Sequence, residues 1–290
     1  MASAVAWRLH MANLRRIFML ETDRPLAVRR AVSFCEAVYD GKKEVEGIKA
    51  VFVQTPDEIK KCWADHEIAV AADPRWRILQ KLKADVVVDA ILAKKNLGTN
   101  LNEAEVVIGL GPGFSVGKDV HWVIETNRGH NLGRIIASGA AEPNTGVPGA
   151  IGGFTEERVL RAPADGKFQT RMKIGDYLKQ GDIIGRVEES EVEARIDGVL
   201  RGLIRTESRV HQGLKIGDID PRGEVSYCST ISDKARAVAG SVLEVILRVY
   251  NAECGMRPET SPSVVSSGPN GSAEPNAEIR RSDTREGTVG

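Results

Sequence analysis

The chain has 290 residues, 28% of them charged, and its 40 Lys and Arg residues balance its 40 Asp and Glu residues. This neutral balance argues against nucleic acid or a membrane surface as a partner. No apolar run reaches the roughly 20 residues that a bilayer requires, and no secretory pattern is present. The four cysteines are scattered without a CxxC pair. We therefore expect reduced thiols and a cytoplasmic protein.

Short β-branched runs alternate with helical patterns over residues 1–155. The runs are residues 16–20, 48–53, 68–71, 85–90 and 105–109, and the helical patterns are residues 2–14, 25–38, 55–65 and 75–83. Continuous Val and Ile runs are typical of strands covered on both faces, so the pattern predicts an α/β domain with a Rossmann-like, largely parallel sheet. In a doubly wound fold a strand and a glycine-rich turn precede the first helix. We therefore expect this sheet to lack its first strand.

An ungapped internal repeat, offset by 32 residues (162 to 194), follows this domain. The matched residues are Ala162, Asp165, Gly166, Leu178, Gln180, Gly181, Ile184 and Gly185 with Ala194, Asp197, Gly198, Val210, Gln212, Gly213, Ile216 and Gly217. Asp-Gly pairs are typical of tight hairpins. Two interlocked halves predict a small β domain over residues 156–223, which resembles the biotinyl/lipoyl-like barrel-sandwich domains. The hairpin at 187–192 contains no lysine, so we expect no lipoyl or biotinyl arm.

The last part of the chain predicts one long helix and a tail. After a linker at 218–223, residues 224–255 form a helix that we expect to pack on the α/β domain, with Ser232 as its cap. Its apolar face consists of Ala235, Val238, Ala239, Val242, Leu243, Ile246 and Leu247. Residues 256–290 contain almost no apolar side chains, and we expect them to be disordered.

Several stretches together resemble one family. They are residues 24–38, 85–90, 109–114, 121–130 (HWVIETNRGH), 142–146, 218–223 and 230–235. This pattern resembles the YqeB family, the accessory proteins of the selenium-dependent molybdenum hydroxylase system, from residue 1 to about residue 249. A more distant similarity connects it to the accessory factors of xanthine dehydrogenase, which share a dinucleotide-binding-like domain.

The resemblance implies a function in maturing a molybdenum hydroxylase, by handling its cofactor or inserting selenium. The hydroxylase apoenzyme is the implied partner. Family members usually begin with a strand and a glycine-rich turn, whereas residues 1–3 here resemble only the end of that turn. A truncated or misassigned start is therefore expected.

A glycine-rich loop follows the run at 105–109. Gly109, Gly111 and Gly113 either present backbone N–H groups to an anion or form a tight turn that requires glycine for its geometry. The carboxyl ends of parallel strands bind ligands, which favours the first interpretation. Asp89 ends the preceding run and is either a ligand contact or a helix cap, and we assign it to the same site.

Residues 119–130 concentrate polar side chains. Arg128 is suited to bidentate binding of an anion, and His121 and His130 are the acid–base candidates. A divalent metal site at His121 and the nearby carboxylates is a lesser alternative, and a solvated hairpin with internal ion pairs is another. We assign no metal site.

The start of the last helix is the third candidate region. Ser232 and Lys234 lie where a helix N-terminus favours anions, although Ser232 is also explained by capping alone. Cys228 is either a structural or an activated thiol, and the structural interpretation is favoured. The segment from Asp23 to Arg30 lies where a dinucleotide fold contacts ribose, but surface ion pairing is the favoured interpretation.

The residues and the resemblance together predict an accessory protein that binds an anionic cofactor, a molybdopterin-type compound or a nucleotide, between its domains. Two alternatives remain at this stage. One is an enzyme that acts on that cofactor or on selenium. The other is a docking scaffold without a ligand.

Overall fold

The structure is a computed structural model that describes residues 1–253. It is a mixed α/β fold with four separate four-stranded sheets and a C-terminal helix. The expected tail at 256–290 and Cys254 lie outside the described residues. The other three cysteines are free and buried. Within residues 1–253 no helix is both long and apolar enough to span a bilayer.

The first sheet and its helices occupy residues 2–72. In chain order they are α1 (Ala2–Met11), β1 (Phe18–Glu21), α2 (Ala37–Asp40), β2 (Lys42–Val45), β3 (Ile48–Val53), α3 (Pro56–Ala64) and β4 (Ile68–Ala72). The strand order is β1-β4-β3-β2, in which β4 is parallel to β1 and β3 whereas β2 is antiparallel to β3. The runs at 48–53 and 68–71 are thus confirmed as strands. The short polar strand β2 was not predicted, because it has no β-branched run.

The prediction of a helix at 25–38 is wrong. Two short 3₁₀ turns, Arg30–Val32 and Phe34–Glu36, occupy this segment before α2. The backbone is extended at Ser33, and the Phe34 amide donates to Ser3 Oγ at 2.9 Å instead of to a carbonyl one helical turn earlier. This contact with α1 replaces the bond that would have continued a helix.

The second sheet follows a helix that is shorter than expected. In chain order the elements are α4 (Ile78–Lys81), β5 (Val86–Asp89), β6 (Val106–Leu110), β7 (Trp122–Ile124) and β8 (Ile135–Ile136). The order is β5-β6-β7-β8, with the first three strands parallel and β8 antiparallel. The helix predicted at 75–83 is limited to α4 because Trp76 has a left-handed backbone (φ +54°).

The parallel strands are therefore divided between two sheets. Strands β1 and β5 each pair on one side only, and most of their residues are half-buried. Their neighbours β4 and β6 are almost entirely buried. The expected parallel pairing is present, but it is not one continuous sheet.

The β unit, residues 159–220, consists of strands and turns. Its strands are β9 (Val159–Arg161), β10 (Gly166–Gln169), β11 (Tyr177–Leu178), β12 (Ile183–Val187), β13 (Ser190–Glu193), β14 (Gly198–Leu203), β15 (Ser208–Val210) and β16 (Lys215–Asp220). They form two antiparallel sheets, β13-β12-β10-β15 and β11-β14-β16-β9, which share one apolar core. In each sheet, one copy of the repeat supplies the two inner strands and the other copy supplies the two edges.

Reciprocal hydrogen bonds join the two copies of the repeat. The amides of Gln180 and Gly181 donate to Asp197 Oδ1 and the Ala194 carbonyl, and those of Gln212 and Gly213 donate to Asp165 Oδ1 and the Ala162 carbonyl, all at 2.7–2.9 Å. Each copy thus completes the turns of the other. This interlocking confirms the prediction that the repeat forms two interdependent halves.

The C-terminal helix packs across the first part of the chain. Two helices, α5 (Ser226–Ser229) and α6 (Asp233–Glu253), follow β16. Ser232 Oγ accepts the Ala235 amide at 3.3 Å, which confirms Ser232 as the cap of α6. Val238, Val242 and Ile246 are buried in a core with α1 and with residues of both parallel sheets. We call residues 2–136 together with α6 the α/β unit.

A buried ion network lies at the end of β16, in the segment that had been expected to be a linker. Asp218 accepts hydrogen bonds from Arg158, Arg201 and Lys215, and Arg201 also donates to Asp220 at 3.0 Å. Burial alone would raise the pKa of Asp218, but the three cations outweigh burial and lower the pKa below its ordinary 3.8. The network therefore stabilises the fold above about pH 4 and loses this contribution as the pH falls further.

We expect Asp218→Asn to lower the free energy of unfolding at pH 7 by about 3–5 kcal/mol, because two buried arginines and the half-buried Lys215 lose a shared counter-charge. Urea denaturation followed by tryptophan fluorescence measures this change. Asp65→Asn is the control, since Asp65 is exposed and its side chain has no partner among the described residues. Equal unfolding midpoints for both variants would show that the network contributes nothing to stability.

Candidate functional site

The carboxyl ends of β5 and β6 bring three of the predicted site residues together. Asp89 is directly opposite Gly109 in the parallel register, and Gly111 follows the end of β6. The Asp89 carboxylate accepts the Thr99 hydroxyl at 2.7 Å and the Ile91 amide at 3.0 Å. Asp89 is buried and orders the loop after β5, so both carboxylate oxygens already have partners within the chain.

The glycines of the loop are required for close packing. A Cβ at Gly109 would lie 2.5 Å from the Phe114 ring, and one at Gly113 would lie 2.7 Å from the Lys95 backbone. Gly111 has a φ of +80°, and its Cβ would lie 2.3 Å from Thr126 Oγ1. The Gly111 amide donates to the Ile124 carbonyl at 2.8 Å. Packing thus explains the three glycines without a ligand, and anion binding by this loop stays a prediction.

The two histidines lie apart from these residues. His121 precedes β7 at the amino end of the parallel strands, where its Nδ1 accepts the Val107 amide at 3.0 Å. His130 is exposed on the loop after β7. The structure therefore does not place His121 beside Asp89 and Gly111, and acid–base catalysis by either histidine stays a prediction.

Glu125 is a buried carboxylate at the carboxyl end of β7. It accepts the amides of Asn127 at 2.6 Å and Glu142 at 2.8 Å, which fixes the loops on either side of β8. His121 lies at the other end of β7, so it does not share a site with Glu125. Among residues 1–253 no group of His, Cys, Asp and Glu side chains is arranged to hold a metal ion.

Arg128 binds Asp233 at the start of α6. Its guanidinium makes two hydrogen bonds to the carboxylate, at 2.7 and 3.0 Å. The hydrogen bonds from Arg128 hold the pKa of Asp233 far below its usual range, and the same pair raises the pKa of Arg128. The bidentate geometry predicted for Arg128 is present, but its partner is a carboxylate of this chain.

Positive charges of several other residues act on the Lys234 amine. Burial lowers the pKa of this amine, and the charges of Lys94, Arg128 and Lys215 lower this pKa further, against an opposing effect of Glu125. We call Lys94, Arg128, Lys215 and Lys234 the cationic cluster. Arg128 and Lys215 have carboxylate partners, whereas neither Lys94 nor Lys234 forms an ion pair with a described residue.

The residues of the cationic cluster come from both units of the protein. Lys94, Arg128 and Lys234 come from the α/β unit, and Lys215 begins β16 of the β unit. Burial lowers the pKa of Lys215, and its ion pair with Asp218, at 3.1 Å, opposes this effect. Arg158 extends the positive region, and its buried Nε has no hydrogen-bond partner within residues 1–253. Cations therefore outnumber carboxylates where the units meet.

Two weaker candidates have structural functions. Arg29 donates to the carbonyls of Tyr227 and Thr230 at 2.7 and 3.0 Å, and Arg30 donates to the Leu203 carbonyl at 2.7 Å. These bonds fix the β unit and α5 against the α/β unit, in place of the surface ion pairing expected for this segment. Burial raises the pKa of the Cys228 thiol, so this cysteine is a structural residue and not an activated thiol.

Sequence analysis missed Lys215 and Arg158 as site residues. Lys215 occupies the repeat position that corresponds to Ile183, and a charge at a position that is apolar in the other copy was the available signal. Arg158 lies before β9 and gave no signal in the sequence. Lys94, five residues after Asp89, was also not assigned to the site.

Comparison with known proteins identifies one close relative. No family model matches the chain. The chain is 49% identical over 250 residues to the uncharacterized protein YqeB of Escherichia coli strain K12. This likeness supports the YqeB family. It covers 86% of this chain but 46% of YqeB, so the chain spans about half the length of the curated relative that it matches.

Similarity to solved structures is slight. An aspartoacylase family protein from Mesorhizobium loti gives a TM-score of 0.21 at 18% identity, over 29% of this chain and 32% of that one. The ectoine utilization protein EutE from Ruegeria pomeroyi gives 0.21 at 15% identity, over 30% and 28%. Scores this low carry no argument about fold or function.

The packing of Gly111 predicts a loss of stability that does not depend on any ligand. Gly111 and Gly117 have nearly the same φ, +80° and +79°, but a Cβ at Gly117 meets nothing within 4 Å. We expect Gly111→Ala to lower the melting temperature more than Gly117→Ala, by several degrees, because only Gly111 contacts Thr126. Equal melting temperatures would show that Thr126 adjusts freely.

Proposed function

We propose that this chain is a YqeB-family accessory protein that binds an anionic cofactor where its two units meet. The ligand is a molybdopterin-type compound or a nucleotide, and the protein assists its modification or its insertion into the apoenzyme of a selenium-dependent molybdenum hydroxylase. The proposal includes the finer fold description, a Rossmann-like domain lacking its first strand and a barrel-sandwich domain. The observation that supports it best is the cationic cluster around Lys234.

The cluster is costly to the folded protein when no anion is present. A buried amine loses the hydration that stabilises its charge, and neighbouring cations add repulsion. Lys234 forms no ion pair with a described residue, and the charge of Glu125 offsets this cost only in part. A phosphate or another oxyanion bound here would remove the repulsion and gain charge-assisted hydrogen bonds.

The location of the cluster also fits a ligand site. Lys234 lies in the first turn of α6, where the helix dipole favours a negative charge. Lys94 follows β5 and Arg128 follows β7, both at the carboxyl edge of the second sheet. Open α/β sheets bind their ligands at this edge. Among the predicted site residues, Arg128 and Lys234 support the proposal most directly.

We expect Lys234→Met to weaken binding of inorganic pyrophosphate by about tenfold or more, since it removes one charge-assisted contact. Arg128→Ala should give a similar loss, whereas Lys173→Ala, which changes an exposed lysine of the β unit, should leave the affinity unchanged. Isothermal titration calorimetry at low ionic strength measures the three affinities. Unchanged binding in both cluster variants, or no binding by the wild type, would contradict the proposed anion site.

The same Lys234→Met variant should be more stable than the wild type when no ligand is bound. Its melting temperature should be higher at pH 7, because the folded state no longer contains a partly buried charge among cations. Since the pKa of Lys234 is lowered from 10.5, this advantage should shrink as the pH rises towards 10.5 and the wild-type amine loses its proton. A lower melting temperature at pH 7 would show that Lys234 has a structural function.

A further inference from the structure

The C-terminal helix α6 has an outward-facing stripe of side chains that its packing against α1 does not use. A shallow hollow of about 370 Å³ lies along this stripe and is lined by α6 alone. Residues three or four positions apart share one face of a helix. The lining residues have this spacing, and we call them the outer stripe: Gly240, Leu243, Glu244, Leu247, Arg248 and Asn251.

Two leucines of the outer stripe are left uncovered by the described part of the chain. The sequence predicted that Leu243 and Leu247 pack on the α/β unit, but within residues 1–253 neither belongs to an apolar core, so this prediction is wrong. Leu243 is half-buried, and Leu247 is 44% exposed. Removing such side chains from water is favourable, which favours contact with a second apolar surface.

Gly240 leaves space for a second helix to approach. Glycine in the middle of a helix is unfavourable, because it loses more chain entropy than other residues and packs no side chain. Gly240 has no positive φ, and a Cβ there would meet nothing within 4 Å. Neither backbone conformation nor crowding within residues 1–253 therefore requires glycine at this position. The close approach of another backbone would require it.

The outer stripe also contains one charge of each sign. Glu244 and Arg248 form an ion pair one helical turn apart, and their side chains are 53% and 56% exposed. A guanidinium has five N–H donors and a carboxylate has about four acceptor sites, so each can bind a second partner of opposite charge. A surface with this composition is complementary to a reversed copy of itself.

A reversed copy of α6 matches the outer stripe pair by pair. In a twofold contact, all pairs that meet must be centred on nearly the same point of the helix. The two leucines are centred at position 245, the two charged residues at position 246, and Gly240 with Asn251 midway between. One residue along a helix is about 1.5 Å, so a single antiparallel arrangement brings all three pairs together.

We propose that the outer stripe is the surface through which two copies of this chain form a twofold dimer, with their α6 helices antiparallel. Leu243 of each copy packs against Leu247 of the other, and Glu244 of each pairs with Arg248 of the other. The Lys234 residues of the two copies then lie at opposite ends of the paired helices, roughly 35 Å apart along them. The contact does not involve the cationic cluster, so this inference is independent of the proposed function.

Sedimentation velocity of the whole chain tests the proposal. Between about 1 and 100 µM the wild type should change from monomer to dimer, because one pair of helices buries less surface than a standard interface and binds weakly. Leu247→Glu should remain monomeric throughout, since it places a charge against an apolar side chain. Ile183→Glu is the matched control, because Ile183 is also 44% exposed but lies on β12 of the β unit, and it should dimerise like the wild type.

A charge exchange tests the pairing between copies directly. Glu244→Arg and Arg248→Glu should each weaken the dimer about tenfold or more when studied alone, because like charges then meet across the contact. An equal mixture of the two variants should form heterodimers, in which both contacts again join opposite charges. Native mass spectrometry distinguishes these heterodimers by mass. The repulsion within each helix is the same alone and in the mixture, so only pairing between copies explains the recovery.

The possible results separate a second copy from other occupants of the outer stripe. A wild type that remains monomeric at about 100 µM contradicts the proposal and leaves the stripe to residues 254–290 or to a different protein. A dimer that persists in Leu247→Glu, or a mixture that does not recover association, places the contact elsewhere and also contradicts it. Circular dichroism and melting temperatures establish that each variant folds.

Discussion

The arrangement of the two units depends on arginine side chains that bridge them. Arg29 and Arg30 donate to carbonyls of α5 and β14, and Arg205 donates to the buried Glu36 carboxylate at 2.8 Å. Gly202 allows the backbones to approach, since a Cβ there would lie 2.8 Å from the Val28 carbonyl oxygen. These contacts fix where β16 lies relative to α6. They therefore also place Lys215 where its charge lowers the pKa of Lys234.

The charges at this junction are not those of a fold optimised for stability alone. Asp218 forms ion pairs with three cations, and Asp220 forms ion pairs with Arg201 and Arg222. Carboxylates therefore neutralise the part of the junction that is deepest in the β unit. Towards the α/β unit the cations outnumber them. Sites that bind charged ligands commonly retain such unfavourable charge, because the ligand supplies the missing partner.

Local patterns predicted the elements well where one physical rule dominated. The β-branched run at 48–53 forms a strand, and Thr55 and Glu58 form the capping box that starts α3. The repeat predicted the interlocked halves because the same residues make the same bonds in both copies. The helix prediction for 25–38 failed because the Phe34 amide bonds to Ser3 of α1, and such a tertiary contact leaves no periodic signal in the sequence.

The candidate site was predictable only in part, for a related reason. Arg128 and Lys234 are 106 residues apart in the numbering (234 minus 128), and no local rule states that they meet. Position after a strand or at a helix start identified each residue separately. The contribution of Lys215 required the docking of the β unit.

The glycine-rich loop supports the backbone next to the candidate site, which is a different function from binding a phosphate with its own amides. Gly113 has no Cβ because the Lys95 backbone occupies that space, at 2.7 Å. This close contact supports the turn in which Lys94 adopts a left-handed conformation, with φ of +65°. Such a conformation is unfavourable for lysine and persists where surrounding contacts enforce it. Gly113 thus acts through the backbone next to Lys94. It supports one member of the cationic cluster, whether or not its own amide ever touches an anion.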